Sequence, residues 1–115
     1  MIVIPPASQL RKFNLSASQY IALWDLTGGH CPLCSKPFNS KIPARNACID
    51  HDHRTFKVRG LVCAACNYEL GVHHDNANWF DACARYLRYP STYQIGLNVL
   101  VADEPPSLQS PSKGE

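Results

Sequence analysis

The 115-residue sequence contains no apolar stretch approaching the length of a membrane span, and its first residues, MIVIPPASQLRKF, lack the basic-then-apolar order of a secretory signal. Those absences predict a soluble, intracellular protein with no membrane partner. Charge is also scarce: Asp, Glu, Lys and Arg make up 17% of the residues and the net charge is only +2, too small to argue nucleic-acid binding from bulk charge. No internal repeat is present. At 12.8 kDa the chain is long enough for one modest core and short enough to benefit from a staple.

Cysteine, by contrast, is plentiful. Four of the six cysteines form two Cys-x-x-Cys pairs, Cys31/Cys34 and Cys63/Cys66, with 28 residues between the pairs. In a reducing compartment such pairs indicate metal rather than disulfides. Each pair folds into a knuckle that points two sulfurs at one centre, and two knuckles complete a thiolate tetrahedron with no open position. That donor set suits structural Zn²⁺, with an iron centre as the competitor. Cys48 and Cys83 sit in apolar contexts and read as small buried hydrophobes. His30, beside Cys31, has no role once four sulfurs fill the shell.

In chain order, residues 1–14 carry Pro5 and Pro6 without a clear period and read as an arm. Ser16 and Gln19 form an S-x-x-Q capping box, Leu15 and Tyr20 a hydrophobic staple, and Tyr20, Leu23, Trp24 and Thr27 share one face of the helix that Gly28 and Gly29 end. Ser35 to Asn46 is a loop broken by Pro37 and Pro43. Ala47 to Asp50 and Phe56 to Val62 read as two strands of an antiparallel hairpin. A short helix from Cys66 to Leu70 is expected to stop at Gly71. Asp75 or Asn76 then caps a helix with an apolar stripe of Trp79, Phe80, Cys83, Tyr86 and Leu87, which ends at Pro90. Ile95 to Val101 reads as an edge strand. Residues 15–102 are expected to form one domain and residues 103–115 a disordered tail.

The chemistry concentrates in Ala47 to Gly71, ACIDHDHRTFKVRGLVCAACNYELG. Between Lys36 and Arg59 six basic residues face two acids, Asp50 and Asp52. With those acids occupied by metal the surface attracts phosphate; the alternative is a solvated face. If the second knuckle pins the helix under the hairpin, Asn67 comes close to Asp50. One carboxylate and one amide oxygen leave most positions of a hard cation open to water and phosphate. A neutral His51 beside them is the natural general base, its tautomer fixed by a carbonyl or amide on the other ring nitrogen. The competing readings are a polar loop, or a second zinc site on His51 and His53. His73 and His74 read as a solvated loop.

Taken together, CPLC, DHDH, VRGLVCAACN and LG resemble the recombination endonuclease VII family of phages, a branch of the HNH or His-Me finger nucleases. The resemblance covers roughly Leu26 to Gly71, with a weaker match up to Tyr89. It implies an α+β fold, a small zinc-stapled ββα-metal (His-Me finger) domain with flanking helices. It also implies cleavage of DNA phosphodiesters to 5′-phosphate and 3′-hydroxyl ends. Position by position, Cys31, Cys34, Cys63 and Cys66 match the structural zinc ligands, Asp50 and Asn67 the ligands of a catalytic Mg²⁺ or Mn²⁺, His51 the general base, and His53 a second active-site histidine near the scissile phosphate. Arg54, Lys57 and Arg59 are candidates for DNA phosphates, with bracing of the hairpin the alternative for Arg59.

Three departures stand out. The hairpin turn, Arg54-Thr55-Phe56, is short and lacks the glycine common in relatives. Leu70 replaces an assisting acid, with Glu69 one position earlier. Only 44 residues follow Gly71, where the resolvase of the family has a long dimerising region, so junction resolution is not implied. The expected function is a metal-dependent DNA endonuclease or nickase acting on double-stranded DNA, branched DNA included, in the cytoplasm of a bacterial host. The alternatives are a zinc-stapled DNA-binding or adaptor module without turnover, and a nuclease subunit of a larger phage complex. A dimer, or a phage or host protein partner, is compatible with the sequence.

Overall fold

The computed structural model describes residues 2–102, which divide into two compact units at the Asp75–Asn76 bond. The residues expected to form a disordered tail lie outside the described residues.

The first unit begins with a helix the sequence did not announce. Residues 7–12, read as part of an arm, form α1 (Ala7–Lys12), started by the Pro6 carbonyl accepting from the Gln9 and Leu10 N–H groups. Arg11 and Lys12 in its last turn complement the helix dipole, and Leu10 is buried. Six residues with one buried anchor are too few to show a helical period. In α2 (Ala17–Leu26) the capping box forms as expected: Ser16 Oγ accepts from the Gln19 N–H at 3.1 Å, and Gln19 Oε1 accepts from the Ser16 N–H at 2.9 Å. Gly28 and Gly29 leave the helix with φ of 63° and 75°. Gly29 is required twice over, because a β-carbon there would lie 2.9 Å from the Trp24 indole nitrogen.

β1 (Ala47–His51) and β2 (Val58–Cys63) form the antiparallel hairpin, a two-stranded sheet. Cys48 faces Val62, Ile49 faces Leu61 and Asp50 faces Gly60, but His51 faces Val58, so Arg59 is an unpaired bulge residue. The second strand starts two residues later than expected. The turn before it is held by Asp52, whose Oδ1 accepts from the N–H groups of Arg54 (2.8 Å) and Thr55 (3.2 Å), and Phe56 adopts a left-handed φ of 63°.

Cys63 ends β2 and caps α3 (Ala64–Val72). This helix starts earlier than expected and runs through Gly71 rather than stopping there. The stop is made instead by His74 and Asp75, both left-handed (φ 55° and 56°), with the Asp75 N–H donating to the Leu70 carbonyl at 2.9 Å. α3 packs on both strands and on a single 3₁₀ turn at Pro43–Arg45. The core is Leu10, Tyr20, Cys31, Phe38, Ile49, Leu61, Val62 and Cys63. At roughly 1.5–3 kcal/mol for each fully buried large apolar side chain, so small a core gains much from a crosslink.

The second unit contains α4 (Ala77–Arg88), capped by Asn76 Oδ1 accepting from the Trp79 N–H at 3.2 Å, and α5 (Ser91–Gln94) after Pro90. Residues 95–101 are exposed and form no strand, which corrects the edge strand expected there. The described residues of this unit contain no other strand to pair with, and Gly96 has a left-handed φ of 65° that breaks the extended run. No helix among the described residues is long and apolar enough to cross a membrane.

Candidate functional site

The sulfurs of Cys31, Cys34, Cys63 and Cys66 all lie within 4.8 Å of one another. A tetrahedron with Zn–S bonds of about 2.3 Å has sulfur–sulfur edges of about 3.8 Å, the distance between Cys34 Sγ and Cys63 Sγ. The donor set fits a four-thiolate ion such as zinc. Backbone N–H groups already point at these sulfurs, from Cys63 to Cys31 Sγ and from Cys66 to Cys63 Sγ, each at 3.4 Å. Burial opposes ionisation of Cys31, but N–H groups of Cys34, Cys63 and Leu33 bring its thiol down to about 7. Burial pushes the Cys63 and Cys66 thiols up. His30 is not part of the cluster; its Nδ1 lies 2.9 Å from the Gly28 carbonyl, to which it donates.

On β1, Asp50 is 5% exposed. Its carboxylate is held bidentately by Arg59, with Nε to Oδ2 at 2.8 Å and Nη2 to Oδ1 at 2.9 Å. The bulge makes this possible, because dropping Arg59 out of register frees its side chain to reach the acid on the neighbouring strand. Those bonds push the guanidinium pKa above its already high value. Arg59 therefore braces the hairpin. Its Nη2 also lies 3.3 Å from Asp75 Oδ1, and Asp75 Oδ2 accepts from His53 Nδ1 at 2.7 Å. The His53 hydrogen bond first, and then Arg59, hold the Asp75 carboxyl below the usual range. His53, Asp75, Arg59 and Asp50 form one continuous polar chain.

The ring of His51 lies 4.7 Å from that of His53 and 5.8 Å from that of Phe13, centroid to centroid. The carbonyl or amide expected to fix its tautomer is not found among the described residues; the fixed ring is that of His53. Asn67 stands half-buried on α3, the helix that packs against the strand bearing Asp50. Asp52 is spent on the turn, whose N–H groups lower its pKa. Arg54 and Lys57 are exposed. A cleft of about 270 Å³ is lined by Asp52, His53, Arg54, Gly71, His74 and Asp75.

The structure thus gathers Asp50, His51, His53 and Arg59 at the hairpin and brings Asn67's helix against it. Sequence reasoning missed Asp75 and Phe13. Asp75 reads as a helix cap beside Asn76, and nothing local signals that it reaches back to His53, 22 positions earlier.

Residues 7–89 match the model of the recombination endonuclease VII family. Two curated relatives are the Gene 59 proteins of Mycobacterium phages D29 and L5, 33% and 32% identical to this chain over 87 residues. Each alignment covers 75% of this chain and 51% of the relative, so the chain spans about half the length of the curated relatives it matches.

Proposed function

The chain belongs to the recombination endonuclease VII family, and from that premise we propose that it is an HNH-type, divalent-metal-dependent endonuclease or nickase acting on double-stranded DNA. In this reading the hairpin and α3 form the ββα-metal unit of a His-Me finger, stapled by zinc on Cys31, Cys34, Cys63 and Cys66. The observation that carries it is the pairing of two imidazoles, His51 and His53, 4.7 Å apart, next to a buried carboxylate.

Asp50 and Asn67 would hold Mg²⁺ or Mn²⁺, which when bound neutralises charge on the phosphate and on the departing oxygen. Arg59 now engages both oxygens of Asp50, so a cation bound there would have to displace the guanidinium from at least one of them. His51, whose neighbours among the described residues are rings rather than a hydrogen-bonding group, is left to accept a proton from water. The water oxygen bonds to phosphorus as the bond to the 3′-oxygen breaks; the proton passes to the His51 imidazole, and solvent protonates the 3′-oxygen. The products carry 5′-phosphate and 3′-hydroxyl ends. Arg54, at the cleft, and Lys57 would hold flanking phosphates. The working compartment would be the cytoplasm of an infected bacterium.

The test is a supercoiled-plasmid assay with Mg²⁺ or Mn²⁺. The expected result is nicking or linearisation by the wild type that is lost in His51→Ala, with zinc content and circular dichroism unchanged. A second reading, a zinc-stapled DNA-binding module without turnover, is favoured by the completeness of the Asp50–Arg59 pair. An intact plasmid together with a retarded DNA band would establish that reading instead.

A further inference from the structure

We propose that Asp75 is a positioning residue of this site, fixing the ring of His53 with its Nδ1 protonated so that Nε2 faces the substrate side. The kinetic part of the proposal rests on the nuclease reading above; the part concerning the ring does not.

The geometry gives Asp75 an unusual station. Its N–H closes the end of α3 on the Leu70 carbonyl, while its side chain, only 15% exposed, reaches the hairpin. One oxygen accepts from His53 Nδ1 at 2.7 Å. The other, Oδ1, is buried without a hydrogen bond and lies 3.3 Å from Arg59 Nη2, in ion-pair contact. That second contact anchors the carboxylate from behind while the first orients the imidazole.

A purely stabilising role explains this poorly. His53 is 62% exposed, and exposed ion pairs contribute little. The turn that delivers Asp75 places two consecutive non-glycine residues, His74 and Asp75, in the left-handed region, a backbone that few side chains other than Asn, Asp and His adopt. A carboxylate held from one side by Arg59 and bonded on the other to an exposed imidazole supplies aim rather than stability. What is aimed is a ring that lines the cleft together with Arg54 and touches the ring of His51. A neutral His53 that donates through Nδ1 leaves Nε2 as its acceptor, and once protonated the ring also donates from Nε2. Either way Asp75 decides which nitrogen is presented.

The left-handed backbone also selects the variants. Asn and Gly both tolerate φ near 56°, so Asp75→Asn keeps an oxygen for His53 and loses the charge, while Asp75→Gly removes the seat without straining the turn. The experiment uses the full chain, with zinc content and far-ultraviolet circular dichroism as fold controls. Long-range ¹H–¹⁵N spectra of the histidine rings at about pH 8.5, well above the reference imidazole pKa of about 6.5, report the tautomer. Plasmid cleavage gives kcat and KM.

The expected results are an Nδ1–H tautomer for His53 in the wild type and in Asp75→Asn, and a change to Nε2–H in Asp75→Gly. In Asp75→Gly, kcat should fall about 10- to 100-fold with KM changed less than about 3-fold, and Asp75→Asn should recover part of the loss. An Nε2–H ring in the wild type, or an unchanged tautomer in Asp75→Gly, overturns the proposal. So does a cleaving Asp75→Gly with wild-type kcat, which leaves the nuclease reading intact. A wild type that cuts no DNA overturns the nuclease reading instead, and the tautomer then decides the role of Asp75 by itself.

Discussion

At the scale of single residues, Phe56 occupies the hairpin turn with φ 63° and a 78% exposed ring. A residue with a β-carbon pays roughly 1–2 kcal/mol for that conformation, against about 0.5–1 kcal/mol of extra chain entropy lost by glycine. Phe56→Gly is therefore expected to stabilise the protein by about 0.5–1 kcal/mol, measured as a higher urea midpoint at constant m. A lower midpoint would mean that the ring makes a contact worth more than the strain. Arg59 is the opposite case. Arg59→Gln leaves the Asp50 carboxylate buried without its counter-charge, and with the Arg59 side chain one-third exposed the expected loss is about 1–3 kcal/mol. Because the guanidinium and a divalent ion compete for the same oxygens, Mn²⁺ should raise the melting temperature of Arg59→Gln more than that of the wild type. Equal shifts would exclude Asp50 as a cation ligand. The place of Asp50 and His51 at the end of the first hairpin strand was readable in the sequence, because the strand pattern and the polar turn after it are local. The partnership of Asp75 with His53 was not, since a carboxylate beside Asn76 looks like any other helix cap.

Among the elements, the legible ones are those specified locally. The S-x-x-Q box of α2 needs only Ser16 and Gln19, and both hydrogen bonds form. The bulge at Arg59 was not legible, because register depends on both strands at once. Helix α1 has one buried anchor and no visible period, and the apolar run 95–101 has no strand beside it in its own unit. Gly71 suggested a helix end, whereas Gly28 and Gly29 are the true stops, and the contrast is testable. A β-carbon at Gly71 meets nothing within 4 Å, so Gly71→Ala should stabilise α3 by about 0.5–1 kcal/mol. Gly29→Ala combines a left-handed φ with the 2.9 Å approach to Trp24 and should destabilise by about 2 kcal/mol or more. Thermal unfolding of the two variants with opposite signs would confirm the assignment. A Gly71→Ala variant that is more stable yet slower on DNA would mean that the cleft needs that surface bare.

For the molecule as a whole, the thiolate cluster links metal, protons and fold. Burial raises the Cys63 and Cys66 thiols, so in metal-free protein near pH 7 both still carry protons that an ion such as zinc would have to displace. Losing two or more protons on binding makes zinc affinity fall by at least about 100-fold for each unit that pH drops between 7.5 and 6.5. Competition with a chromophoric chelator across that range measures the slope, and a flat profile would show that the sulfurs are not the ligands. The cysteine spacing made this cluster predictable from the chain alone. Cys63 closes a strand, opens a helix and supplies one of the four sulfurs. Emptying the four sulfurs would therefore loosen hairpin and helix together rather than either one alone, because a single residue belongs to both and to the cluster.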